Sequence, residues 1–153
     1  KRIPMIKVNV EINNKSWHKK IKSPKKYFNL KLKKISEKIK FFNKKNITFT
    51  ILLTNSSNMK KLNKKFRKKN KSTDVLSFPT FKKKINSIKE KTIYIGDLAA
   101  SYEIINSRSK KNFLTEFDKV WVHGFLHLLG YDHIKNKDYN KMNRVEKRIL
   151  NLI

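Results

Sequence analysis

The chain has 153 residues and no cysteine, and its 39 lysine and arginine residues outnumber 11 aspartate and glutamate residues. This length suits a single domain with a buried core, while the absence of cysteine excludes disulfide bonds and thiolate-rich structural zinc sites. The formal net charge of +28 favours a polyanionic partner, although an AT-rich genome alone would also enrich lysine.

Hydrophobic periodicity divides the chain into strands and helices. In chain order, the first half is predicted as a strand at 5–12, a loop at 13–24, a helix at 25–45, a strand at 47–53 and a helix from Ser56 or Ser57 to about residue 68. The second half is predicted as an extended segment at 73–78, an exposed connection at 82–91, a strand at 92–95 and helices at 97–109, 115–129 and 137–152.

These elements interleave without an internal repeat or a linker. We therefore predict one domain over residues 1–153, with an α+β fold in which helices pack a small mixed sheet of about four strands. Asp97 is expected to cap the helix that follows it, and His18 is expected to lie on the surface. No apolar run is long enough to span a membrane and no signal-peptide pattern opens the chain, so we expect a soluble cytoplasmic protein. The sequence begins with Lys1 rather than methionine, which leaves its natural start open.

Three histidines lie within an eleven-residue stretch that begins at His123. His123 and His127 are four residues apart, so on a helix both imidazoles lie on one face and reach the same ion. Gly130 is suited to end that helix, and the chain can then turn to bring His133 to the same point. Three imidazole ligands with an open fourth position indicate a catalytic metal, with zinc preferred and nickel or cobalt also suited.

The helix that carries this motif is apolar on most sides and is predicted to be a buried central helix. Its spacing, H-x-x-x-H-x-x-G-x-x-H, is that of the metzincin zinc proteases, but Gly124 replaces their catalytic glutamate. The glycine either allows a close approach of backbone or substrate, or simply removes the usual base. Asp132, beside the third histidine, is either a carboxylate that orients a ligand or accepts a proton, or an ordinary turn residue.

A second informative stretch runs from residue 62 to residue 79 and contains Arg67. A guanidinium can bind a phosphate through two hydrogen bonds and neutralise charge in a phosphoryl transition state. The alternative is that Arg67 only occupies the solvated end of a helix.

Three motifs together resemble the bacterial YbeY family of metal-dependent endoribonucleases and rRNA maturation factors. They are the histidine motif, the Thr-Asp-Val-Leu-Ser-Phe-Pro segment at 73–79 and the Ile-Gly-Asp triplet at 95–97. The resemblance covers nearly the whole chain in order and spacing. Arg67 matches the arginine that the family places opposite the metal, whereas Lys68 stands where the family usually has glycine.

This resemblance implies a mixed sheet with flanking helices and a zinc ion held by His123, His127 and His133. It further implies hydrolysis of single-stranded RNA in ribosomal RNA maturation, including processing of the 3′ end of small-subunit rRNA, and in ribosome quality control. Ribosomal subunits or ribosome-associated proteins would then be partners. Two alternatives remain: a metallopeptidase whose base is a carboxylate such as Asp132, and a non-catalytic ribosome-binding protein in which the metal only closes the fold.

Overall fold

The computed structural model describes residues 5–132 and 134–153, so the predicted third ligand, His133, lies outside the described residues. A four-stranded sheet forms the centre of the fold. Its strands are β1 (Ile6–Ile12), β2 (Asn46–Thr54), β3 (Val75–Pro79) and β4 (Thr92–Ser101). Their spatial order is β1-β2-β4-β3, in which β1, β2 and β4 are parallel and β3 runs antiparallel to β4.

Helices pack on both faces of this sheet. In the described residues they are α1 (Pro24–Lys38), α2 (Ser56–Arg67), α3 (Tyr102–Arg108), α4 (Phe113–Leu128) and α5 (Asn136–Leu152). The main core joins α1, α4 and α5 to one sheet face, and α2 covers a smaller cluster that includes Met59, Leu76 and Ala99. The predicted α+β class is confirmed. No helix of the described chain is both long and apolar enough to cross a membrane.

Helix α4 is the central buried helix that its sequence predicts. Phe117, Trp121 and Phe125 are fully buried on it and contact aromatic rings from other elements. The Phe117 ring lies 5.0 Å from Trp17, and the Phe125 ring lies 5.1 Å from Phe49 of β2. Edge-to-face packing in the first pair and tilted packing in the second fix the helix firmly against its surroundings. The histidines therefore project from a rigid support.

The prediction that Asp97 caps a helix is wrong. Strand β4 continues through Asp97 to Ser101, because Leu98 and Ala100 are buried in the core and pair with β2. Asp97 is exposed on this strand and accepts a hydrogen bond from the Tyr94 hydroxyl. An apolar run after a carboxylate thus extended the strand rather than starting a helix.

Three further boundaries differ from the predictions. Helix α1 ends at Lys38, because Ile39 adopts an extended conformation. The cap of α2 is Asn55, whose side chain accepts the N–H of Asn58 at 2.8 Å, rather than either following serine. The connection at 82–91 is partly buried, since Ile85 and Ile88 join the core. His18 is exposed, as predicted.

Candidate metal centre and its cleft

A cleft of about 690 Å³ brings most of the predicted site residues together. It is lined by residues from the end of α2, from β3, from α4 and from the turn after α4. His123, His127, Arg67 and Asp132 all lie along it, and Asp97 does not. The structure thus brings the two histidines of α4 and Arg67 to one cavity.

The two histidines of α4 point ring nitrogens at each other. His123 Nε2 lies 3.2 Å from His127 Nε2, and the ring centroids are 4.7 Å apart. His127 Nδ1 lies 3.0 Å from the carbonyl oxygen of Tyr131, and His123 Nδ1 lies 3.5 Å from Glu146 Oε1. A proton on each Nδ1 satisfies both oxygen acceptors and leaves a lone pair on each Nε2.

This arrangement fits a shared cation. With a proton on each Nδ1, the two Nε2 lone pairs would lie 3.2 Å apart and repel each other, and a positive charge between them would remove that repulsion. Hydrogen bonding of the opposite ring nitrogen to a carbonyl or a carboxylate is the usual support of a metal-bound histidine. Within residues 5–132 and 134–153, no group of three or more histidine, aspartate or glutamate side chains is arranged around one point. The predicted trio requires His133, which lies outside that part of the chain.

The end of α4 positions the support for His127. Gly130 has φ +94°, the N–H of Gly130 donates to His127 O, and the N–H of Tyr131 donates to Leu126 O at 3.1 Å. These two bonds form a Schellman motif, which needs a residue with positive φ. The same turn directs the Tyr131 carbonyl back to His127 Nδ1. Helix termination and histidine orientation are therefore one structural feature.

Glu146 on α5 was missed by the sequence analysis. Its carboxylate raises the pKa of His123 through a hydrogen bond, and this effect exceeds the lowering by burial. One feature of the sequence could have indicated Glu146: it lies between Met142 and Ile149, the two buried residues of α5. A carboxylate beside core positions is uncommon in a chain with so few acidic residues.

Gly124 lies where α4 comes closest to the sheet. A Cβ atom on it would lie 2.9 Å from Leu98 Cδ2, 3.1 Å from Val75 Cγ2 and 3.2 Å from Ser77 Oγ. The Ser77 hydroxyl donates to Gly124 O at 3.2 Å across the same contact. The structure thus favours close approach as the reason for glycine, and any larger residue here would require the Leu98, Val75 and Ser77 side chains to shift.

Arg67 is the last residue of α2 and lies over the adjacent end of β3. Its guanidinium donates a hydrogen bond to Ser77 O and lies 5.5 Å from the Phe78 ring. Lys68 follows with φ +57°, the left-handed conformation that glycine adopts most easily. The lysine therefore preserves the backbone path that a glycine would give, and Arg67 remains in the cleft.

The remaining carboxylates of the cleft have structural contacts. Asp132 accepts the N–H of Ile134 at 3.2 Å, which is the geometry of an aspartate turn. Asp74 forms an ion pair with Arg108 at 2.6 Å and anchors the start of β3. The cleft is otherwise bordered by lysines, including Lys69, and its cationic rim suits a polyanion.

A family model described as endoribonuclease YbeY matches residues 11–153 of this chain. The chain belongs to the endoribonuclease YbeY family. It is 51% identical to endoribonuclease YbeY of Pelagibacter ubique over 97% of both chains. It is also 40% identical to endoribonuclease YbeY of Buchnera aphidicola from Acyrthosiphon pisum, over 90% of this chain and 83% of that protein.

A solved structure shows a similar fold. The solution structure of a Thermotoga maritima protein matches with a TM-score of 0.61 and 24% sequence identity. The match covers 95% of this chain and 87% of that one. At this identity the likeness supports the fold alone.

Proposed function

We propose that this protein is a metal-dependent endoribonuclease that cleaves single-stranded RNA during ribosomal RNA maturation. Its relatives in the YbeY family carry the name endoribonuclease. The observation that carries the proposal is the pair of converging Nε2 atoms in a cleft that also contains Arg67. The proposed domain is the whole chain, residues 1–153.

His123, His127 and His133 are the proposed ligands of one ion, with zinc preferred and nickel or cobalt suited to the same donors. Glu146 and the Tyr131 carbonyl hold the first two imidazoles in the tautomer that leaves Nε2 available. When bound, the ion would supply Lewis acidity at the phosphodiester and make water more acidic. With Gly124 in place of a glutamate, we expect modest turnover.

Arg67 is proposed to bind the scissile phosphate. Its guanidinium is positioned by Ser77 and by the Phe78 ring, and its charge is opposite to that of the developing oxyanion. Asp132 is a second candidate, either to accept a proton or to orient a ligand. Its hydrogen bond with the N–H of Ile134 favours the orienting role, because that bond holds the Asp132 carboxylate against the backbone.

Preference for single-stranded RNA is supported by an exposed aromatic residue beside Arg67. Phe66 is 55% exposed, lies 5.3 Å from the Phe78 ring and has the Lys65 ammonium 5.2 Å from its centroid. Aromatic faces with neighbouring cations are the usual stacking surfaces for unpaired bases. Bases of a duplex are already stacked and cannot use such a face.

The proposed biological setting is cytoplasmic processing of small-subunit rRNA at its 3′ end, together with ribosome quality control. A net charge of +28 supports association with rRNA and with ribosomal subunits. Ribosome-associated proteins are the further proposed partners.

A cleavage assay with matched substrates tests this function. The protein is stripped of metal by a chelator, reloaded with zinc, nickel or cobalt, and given one RNA as a single strand or as a duplex. We expect cleavage of the single strand only after metal is restored. Cleavage that survives complete removal of metal, or equal cleavage of the duplex, would contradict the proposal.

A further inference from the structure

The outer edge of β1 lies at the opposite side of the sheet from the cleft, because β1 and β3 are the two edge strands. In the described chain, β1 pairs only with β2. The carbonyl of Met5 and the N–H of Asn13 bond to β2 at 2.9 and 3.1 Å. Backbone groups alternate in direction along a strand, so those of Ile6, Val8 and Val10 face outward.

A groove of about 640 Å³ runs between this edge and α1. One wall is β1 itself, from residue 5 to residue 9. The other wall is a single side of α1, with residues at helical spacing: Lys25, Asn29, Lys33, Ser36 and Glu37. An exposed strand edge beside a groove is the arrangement that β-strand addition uses, since the edge supplies main-chain bonds and the groove receives alternate side chains.

Ser36 provides a second indication of a ligand in this groove. The residue is only 4% exposed, and within the described residues its hydroxyl has no hydrogen-bond partner. A buried hydroxyl without a partner is unfavourable and calls for an explanation. Ser36 lines the groove, but its hydroxyl oxygen is covered, so an occupant would reach it only when the side chains around it move apart.

The charges of the groove select the kind of occupant. Lys7, Lys25 and Lys33 line it against the single carboxylate of Glu37. An acidic ligand is therefore favoured. The outward edge of β1 alternates donors with acceptors at the spacing of another peptide backbone. The phosphates of RNA only accept hydrogen bonds and do not match this pattern.

We propose that the groove between β1 and α1 binds an extended acidic segment of a partner protein, which adds to the sheet as a fifth strand. This surface is separate from the RNA cleft. The site would attach the nuclease to a protein partner and leave the histidines accessible to RNA.

A labelled peptide that alternates aspartate with valine tests this proposal by fluorescence anisotropy. Salt at ~0.3 M screens the general attraction of the positive protein for any acid. Val8→Pro deletes one outward N–H and keeps the bonds to β2, whereas the matched control Val8→Ala keeps that N–H. We expect Val8→Pro to weaken binding by about tenfold or more, and Val8→Ala by about threefold at most.

Two further measurements keep the test decisive if Val8→Pro fails to fold. Ser36→Leu fills the groove and should abolish binding, and the amides of Ile6 and Val8 should become protected from hydrogen exchange when the peptide binds. A peptide with lysine in place of aspartate should bind far more weakly. Cleavage of RNA by Val8→Ala and Ser36→Leu should equal that of the unmodified protein.

Several results would overturn the proposal. If Val8→Pro and Val8→Ala bind the peptide equally well, the peptide does not pair with the edge of β1. If RNA displaces the peptide, the peptide binds in the cleft rather than in the groove. Equal binding of the lysine peptide would show that the lysines of the groove do not select an acidic ligand. A concentration-dependent dimer that Val8→Pro abolishes would assign the edge to a second copy of this chain instead.

Discussion

The two helices that reach the cleft end in the same backbone conformation with different residues. Helix α4 ends at Leu128 and is closed by Gly130, whose φ is +94° and whose hydrogens lie against the backbone of residues 83–84. Helix α2 ends at Arg67 and is closed by Lys68, whose φ is +57° on the exposed surface. Each end follows a proposed site residue, His127 in one helix and Arg67 in the other. A residue with positive φ thus closes both helices that carry proposed site residues. Only α4 has glycine there, the residue that adopts this conformation most easily.

The α2 end is held by a buried side chain instead. Asn63 is 3% exposed, its carbonyl accepts the N–H of Lys69 at 3.2 Å, and its amide donates to Lys71 O at 2.9 Å. A left-handed lysine costs about 1–2 kcal/mol relative to glycine-like freedom. These bonds offset that cost and keep Arg67 at the cleft.

Gly130→Ala should have the largest effect on stability. The added Cβ would lie 2.6 Å from Lys84 Cα and would also require a left-handed alanine. We expect the free energy of unfolding to fall by about 2–4 kcal/mol, from overlap and backbone strain together. RNA cleavage should fall further, because the Tyr131 carbonyl would move away from His127. Urea unfolding of the metal-free protein measures the change in the free energy of unfolding. An unchanged value would show that the backbone at residues 83–84 moves aside at no energetic cost.

Glu146→Gln should weaken metal binding and cleavage by about 10–100-fold, the usual loss when the carboxylate behind a metal-bound histidine is removed. A competing chelator measures zinc affinity, and a single-stranded RNA measures cleavage. Glu37→Gln is the matched control, because Glu37 pairs with exposed Lys33 at 3.9 Å, away from the cleft. Equal zinc affinity in both variants would show that Glu146 does not support zinc binding.

Phe66→Ala should reduce the affinity for single-stranded RNA by about tenfold, since a stacked base contributes about 1–3 kcal/mol. The rate at saturating RNA should change little, because Phe66 is proposed to hold the strand and not to act on the phosphate. Leu30→Ala is the control: Leu30 is comparably exposed, at 58%, but lies on α1, whereas Phe66 is next to Arg67 on α2. Equal affinities in the two variants would contradict the stacking role.

Lys68→Gly should have the smallest effect and the opposite sign. Glycine removes the strain of a left-handed lysine but also makes the unfolded chain more flexible. We therefore expect the free energy of unfolding to rise by about 0.5–1 kcal/mol. Lys69→Gly is the matched control and should destabilise, because Lys69 does not have a positive φ. Loss of stability in Lys68→Gly would mean that the lysine side chain contributes more than its backbone conformation costs.

The sequence predicted those parts of the site that local spacing determines. The interval between His123 and His127, and the glycine that closes their helix, both follow from the geometry of a single helix. Arg67 stood out because arginine is scarce in this chain. The α+β class also followed, since each strand and helix has its own periodicity.

The missed features depend on contacts between distant segments. Glu146 and His123 are on different helices, and nothing in the periodicity of either helix brings them together. In the sequence Asn63 is one more polar residue of α2, and its role depends on the loop after the helix, which folds back so that Lys71 O accepts its amide hydrogen bond. Asp97 has the local pattern of a helix cap, but pairing of β4 with β2 overrides that preference.

The central claim is that His123 and His127 hold a catalytic ion, and His127→Ala tests it most directly. Metal content by mass spectrometry and cleavage of a single-stranded RNA are measured on the same preparation, with exposed His18→Ala as the control. We predict that His127→Ala loses both metal and cleavage, keeps RNA binding within about twofold because phosphate contacts dominate affinity, and that His18→Ala keeps all three. Undiminished cleavage by His127→Ala with metal shown to be absent would contradict the account.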